Sequence, residues 1–132
     1  MGTRSTTHVV QAGKKLMCMY RHMDGYPTGH GQELVDFFDG LTLVNGLGIG
    51  DNSKTANGMG CLAAQLVAHF KEGAGGIYIE PSNRAADEDY PYFIEGDTFN
   101  TDVPLKFTVK NWGKKVFEGD FEAFKQFCAK EN

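Results

Sequence analysis

The sequence predicts an α+β domain: one largely antiparallel sheet with about three helices. Two observations carry this. Strand-like segments crowd the second half in hairpin spacing, and three separated segments repeat apolar residues at helical spacing. The two kinds follow no strict βαβ alternation, which argues against a parallel doubly wound sheet. The chain has 132 residues, 41% of them hydrophobic. That is one domain's worth, long enough for a core.

Residues 1–14 are rich in Thr, Gly and other polar residues, and read as a flexible N-terminal tail. They lack the apolar stretch of a secretion signal, so none is expected. The single domain is expected to occupy residues 15–132. It opens with an apolar, sulfur-rich strand over Leu16–Arg21. Asp24-Gly25, Tyr26-Pro27 and Gly29 then carry turn chemistry. Leu34, Val35, Phe37 and Phe38 predict a first helix over Gln32–Phe38, stopped near Gly40. A short apolar run over Leu41–Asn45 leads into a Gly- and Asn-rich loop through Gly60. Leu62, Leu66, His69 and Phe70 form one stripe of a second helix over Cys61–Phe70. Its His69 reads as a boundary histidine.

The later elements are sheet. Strands are predicted at Gly76–Glu80, Tyr90–Glu95, Leu105–Lys110 and Lys115–Glu118, with a hairpin turn at Trp112-Gly113-Lys114. Pro81–Asp89 is an acidic loop. Asp120 is a good N-cap for a last helix, in which Phe121, Phe124, Phe127 and Cys128 recur as a core face.

Composition excludes several functions. Thirteen Lys plus Arg against seventeen Asp plus Glu give a net charge of −4. An acidic domain is poorly suited to a nucleic acid polymer or an anionic membrane surface. Cys18, Cys61 and Cys128 show no paired spacing, so they read as free thiols of a cytoplasmic protein. No cofactor and no metal site is expected.

Chemistry concentrates in two places. The first is Tyr20-Arg21-His22-Met23-Asp24-Gly25-Tyr26-Pro27-Thr28-Gly29-His30-Gly31, where a strand gives way to a turn and a helix. Arg21 can grip a carboxylate or phosphate, and Tyr26 can stack on a ring. His22, Asp24 and His30 are candidate acid–base groups. The second is the loop from Asn45 to Gly60. Gly48–Thr55 resembles a P-loop, but Ser53 stands where that motif needs Gly, and Gly58 and Gly60 interrupt the helix that should follow. What remains is a generic anion cradle, with Lys54 supplying charge and Asn45 and Asn57 hydrogen bonds. If the two preceding strands are neighbours, both segments meet at one end of the sheet.

The twelve-residue motif Y-R-H-x-D-G-Y-P-x-G-H-G resembles that of an uncharacterised family of small phage and prophage proteins. The similarity extends over Val44-Asn45-Gly46, Ala56–Ala63 and Gly76–Ile79. It implies a phage or mobile-element setting, with the host cytoplasm as location, and attaches no reaction.

The leading expectation is a non-enzymatic binder of a small anionic ligand, a nucleotide or nucleotide-derived signal, that sequesters a host defence messenger. Its expected ligand-binding residues are Arg21, His22, Asp24, Tyr26, His30, Asn45, Lys54 and Asn57. One alternative is a hydrolase or lyase acting on a phosphate ester or glycosidic bond through His22 and His30. Another is a protein–protein inhibitor of a host factor, using the acidic and aromatic segment Asp87–Tyr92. Because small pockets are often built between subunits, a homo-oligomer is expected.

Overall fold

The computed structural model describes residues 2–48, 50–52, 54–84, 89–97 and 103–130. Its main sheet has six strands in the order β5-β2-β1-β6-β7-β8. These are β1 (Ser5–Gln11), β2 (Lys14–Arg21), β5 (Ile77–Glu80), β6 (Tyr90–Gly96), β7 (Lys106–Asn111) and β8 (Lys114–Gly119). Neighbours run antiparallel, except that β6 lies parallel to β1. β3 (Thr42–Val44) and β4 (Thr55–Asn57) form a separate parallel pair. The helices are α1 (Gln32–Phe38), α2 (Gly58–Phe70) and α3 (Phe121–Lys130), and a π-helical turn over Pro27–Gly31 runs directly into α1. The fold is therefore α+β with a mostly antiparallel sheet and, among the described residues, three α-helices, in line with the about three that the sequence predicts.

The expected tail is replaced by a finding. Residues Ser5–Gln11 form β1, an inner strand of the sheet, hydrogen-bonded to β2 on one side and β6 on the other. Every residue from Ser5 to Val10 is buried. A strand covered on both faces has no apolar–polar alternation to betray it. Here the buried side chains are mostly Ser, Thr and His, which read as polar tail.

The helices pack on one face of the sheet. Val9, Met19, Tyr92, Ile94, Phe107 and Val109 meet Leu34, Leu62, Leu66 and Phe124 in a single core cluster. Burying each such aliphatic or aromatic side chain contributes roughly 1.5–3 kcal/mol. Phe107 and Phe124 stack with centroids 4.7 Å apart and seat α3 on β7. The N-terminus of α3 is capped as expected, since Asp120 Oδ1 accepts the Ala123 N–H at 3.0 Å. Such a cap is worth about 1 kcal/mol.

The other face holds the even-numbered residues of β1. His8 is fully buried there and stacks on Phe93 at 4.6 Å. Its Nε2 lies 2.9 Å from Thr6 Oγ1, and its Nδ1 has no partner among the described residues. Lys15 and Lys110 stand over the Phe93 ring. Burial first, and then the charges of Lys15, Arg84 and Lys110, push the His8 pKa down to about 4. The chain between β5 and β6 brings Arg84 over the Tyr20 ring, 5.2 Å from its centroid. Asp87 and Glu88, part of the expected acidic segment, lie outside the described residues. Among the described residues, no helix is long and apolar enough to cross a membrane.

Because β1 joins β2 to β6, its removal would split the sheet. Deleting residues 2–11 is expected to abolish cooperative thermal unfolding and amide dispersion in a proton–nitrogen NMR spectrum. A truncated chain with a dispersed, native-like spectrum would mean that the segment is dispensable.

Candidate functional site

The first concentration of chemistry lies where β2 ends. Arg21 is the last residue of β2, opposite Ser5 on β1 and Ile77 on β5. The chain then turns through Asp24, whose φ of 61° is left-handed, a conformation Asp tolerates better than most residues. The His30 N–H donates to the Asp24 carbonyl at 2.8 Å, and the Gly29 N–H to the Tyr26 carbonyl at 2.9 Å. These bonds close the π-helical turn and carry His30 inward. Gly31 is required at its end. A Cβ there would lie 2.7 Å from Cys128 Sγ and 3.4 Å from Tyr92 Oη. The Tyr92 hydroxyl donates to the Gly25 carbonyl at 2.7 Å and so pins the same turn to β6. Burial raises the Tyr92 pKa well above its ordinary value, so the phenol remains a donor.

His30 is fully buried, its ring between Phe70 and Tyr92 at 5.0 and 5.1 Å. Its Nδ1 is 3.2 Å from Arg21 Nη1, and its Nε2 is 2.7 Å from Thr7 Oγ1. A guanidinium only donates, so Nδ1 must accept. The ring's one proton then sits on Nε2 and is donated to Thr7. Burial first, and the Arg21 charge second, push the His30 pKa down to about 3. The same Arg21 Nη1 reaches Glu33 Oε2 at 2.8 Å. The Arg21 side chain is 16% exposed. Both contacts use Nη1, so Nε and Nη2 keep N–H donors that no described residue takes up.

Arg21 stands in the wall of a cavity of about 620 Å³ between the end of β2, the start of β5 and the C-terminal end of α2. His22, Asp24, Glu33, His69, Phe70 and Glu72 also line it, as does the segment Gly73–Ile77. Gly75 and Gly76 have φ of 79° and 77°, which a side chain would resist. Lys71 Nζ fixes this turn by donating to the Gly75 and Ile77 carbonyls at 3.1 and 2.7 Å.

Several expected site residues fall elsewhere. His30 does not line the cavity, and both its ring nitrogens are engaged. It sits as a positioning residue, fully buried, whereas its expected acid–base partner His22 is exposed. Tyr26 is not in the cavity lining either; its hydroxyl donates to Asp24 Oδ1 at 3.3 Å. Lys54 caps the end of α1, donating to the Phe37 and Asp39 carbonyls at 3.3 and 3.2 Å. Asn57 Oδ1 accepts the Gly46 N–H at 2.7 Å, and Asn45 lies in the same exposed loop. Asp51 takes the Gly48 N–H, so a carboxylate already occupies part of the supposed anion cradle. Ser53 lies outside the described residues.

The two concentrations do not meet. Asn57 precedes the first turn of α2, whereas His69 and Phe70 end it. Thirteen helical residues put about 20 Å between them. β3 and β4 form their own sheet rather than joining β2. Among the described residues, no three metal-ligating side chains converge.

Sequence reasoning missed Thr7, Glu33, His69, Glu72 and the Gly73–Gly76 turn. His69 and Glu72 lie three residues apart where a helix runs into a glycine turn, which was the one available signal.

The two buried histidines dictate a pH dependence. Their folded pKa values, about 4 for His8 and about 3 for His30, lie below the ordinary 6.5. Between these limits the unfolded chain binds more protons than the native one. Stability is therefore complete above pH 6.5 and falls as pH drops toward 4, with a slope approaching two protons. Urea titrations across this range should show it, and His30→Gln should remove about half the slope. A flat profile would contradict neutral burial of these rings. No protein-family profile, curated protein or solved structure matches the chain.

Proposed function

We propose that the cavity at Arg21 binds a small anionic ligand, a nucleotide or nucleotide-derived signal. The observation that carries this reading is Arg21 itself. It is a nearly buried guanidinium, held in place through one nitrogen, with its other donors left for a ligand. Low local dielectric strengthens such a contact, and the fork suits a phosphate or carboxylate. About 620 Å³ is within the usual range of small-molecule sites.

The other lining groups support a ligand with more than a bare anion. Asp24 and Glu72 are acceptors for hydroxyl or amino groups, as a ribose or base presents. His22, His69 and Phe70 offer ring faces in the role expected of Tyr26. The cavity lacks the ammonium of Lys54, so one guanidinium carries the anion recognition. On the resemblance to phage proteins, the setting is a phage-infected cytoplasm, where capture in this cavity withdraws a defence messenger. Association into a homo-oligomer belongs to the same proposal.

Calorimetric titration with adenosine 5′-monophosphate and with inorganic phosphate tests this reading. The wild type should bind the nucleotide more tightly than phosphate alone. Arg21→Lys keeps the charge but loses the fork, and should weaken nucleotide binding about 10- to 100-fold, as loss of a charge-assisted hydrogen bond of about 1.5–3 kcal/mol implies. No heat with wild type, or equal binding by the variant, would reject Arg21 as the anchor.

A further inference from the structure

The chain has four histidines. His8 and His30 are fully buried, each with a ring nitrogen beside a threonine hydroxyl. His22 and His69 are exposed, and both line the cavity that holds Arg21. They arrive from different elements. His22 follows β2 and is exposed, with the Tyr20 hydroxyl 3.5 Å from its Nδ1. His69 sits in the last turn of α2, its ring 5.2 Å from those of Phe37 and Phe70. The fold has thus sorted its imidazoles into two that are locked and two that face one cavity.

Two accessible imidazoles beside a guanidinium are the components of acid–base catalysis at phosphorus. The geometry points to a phosphodiester hydrolase site, with His22 and His69 as the acid–base pair and Arg21 as the clamp on the phosphoryl oxygens. This rests on the anion-binding reading of the cavity. It replaces the expected partner His30, whose nitrogens are both occupied, with His69.

The step balances with water as the only co-reactant. One imidazole takes a proton from water as the oxygen forms a bond to phosphorus. The bond from phosphorus to the leaving oxygen breaks, and the other imidazole, starting protonated, gives that oxygen its proton. The products are a phosphate monoester and an alcohol. The two rings have exchanged protonation states and reset through solvent. Arg21 offsets the charge on the non-bridging oxygens. Glu33 orients Arg21 at 2.8 Å, Asp24 accepts the Tyr26 hydroxyl, and Glu72 is the remaining carboxylate facing the pair.

The test uses the full chain and bis(4-nitrophenyl) phosphate, reading release of 4-nitrophenolate across the neutral pH range. The wild type should release 4-nitrophenolate well above the uncatalysed rate. His22→Ala and His69→Ala should each lower kcat about 10²–10⁴-fold. The double variant should be little worse than the poorer single one, because the two groups act as a unit. Both residues are exposed, so the variants should keep the wild-type Tm. Their affinity for inorganic phosphate, which Arg21 anchors, should change by less than about tenfold, or 1.4 kcal/mol. Release no faster than the uncatalysed rate, or variants as fast as wild type, would overturn the hydrolase while leaving anion binding intact. Loss of nucleotide binding in the wild type would instead remove the reading beneath it.

Discussion

A guanidinium has donors and no acceptor, so the 3.2 Å contact between Arg21 and His30 decides the state of the imidazole. Nδ1 must keep its lone pair, Nε2 must carry the proton, and Thr7 must lie where that proton is given. One contact therefore ties together three parts of the chain: the end of β2, the π-helical turn and the inner strand β1. A second proton on His30 would face the charge of Arg21 in a fully buried position. Its pKa of about 3 follows from that geometry. The lock explains how an arginine is held nearly out of water with Glu33 alone, among the described residues, as its charge partner.

The packing around this lock is correspondingly tight. Tyr92 reaches across to the Gly25 carbonyl, and Gly31 leaves room for Cys128 of α3. The cavity beyond is thus built on rigid supports at β2 and α1, and on a glycine turn held by Lys71. Rigid presentation of a few polar groups lowers the ordering cost of binding. The Asn45–Gly60 loop belongs to a different structural problem. Lys54 and Asn57 close the end of α1 and the β3–β4 pair, and their hydrogen bonds stay within the protein.

Much of the fold was legible where periodicity is strong. α1 spans Gln32–Phe38 as its apolar spacing predicts, and Asp120 caps α3. β1 was illegible because Ser5, Thr6, Thr7 and His8 are polar residues buried through long-range partners, which no local pattern records. The site was half legible. The Tyr20–Gly31 segment does supply Arg21, His22 and Asp24 to the cavity. What sequence could not supply was direction: His30 points into the core and His69 lies at the cavity, though both looked like histidines at element boundaries. Nor could it show that α2 separates the two polar segments, because their closeness depended on a strand order that β3 does not adopt.

The tautomer of His30 tests the account most directly. Nitrogen-15 shifts of the imidazole rings, followed by long-range proton–nitrogen correlation NMR, distinguish the three protonation states. The account predicts a neutral His30 protonated on Nε2 alone, unchanged from neutral pH down to about pH 4. A ring protonated on Nδ1, or a doubly protonated ring in that range, would contradict the lock and the placement of Arg21 that depends on it.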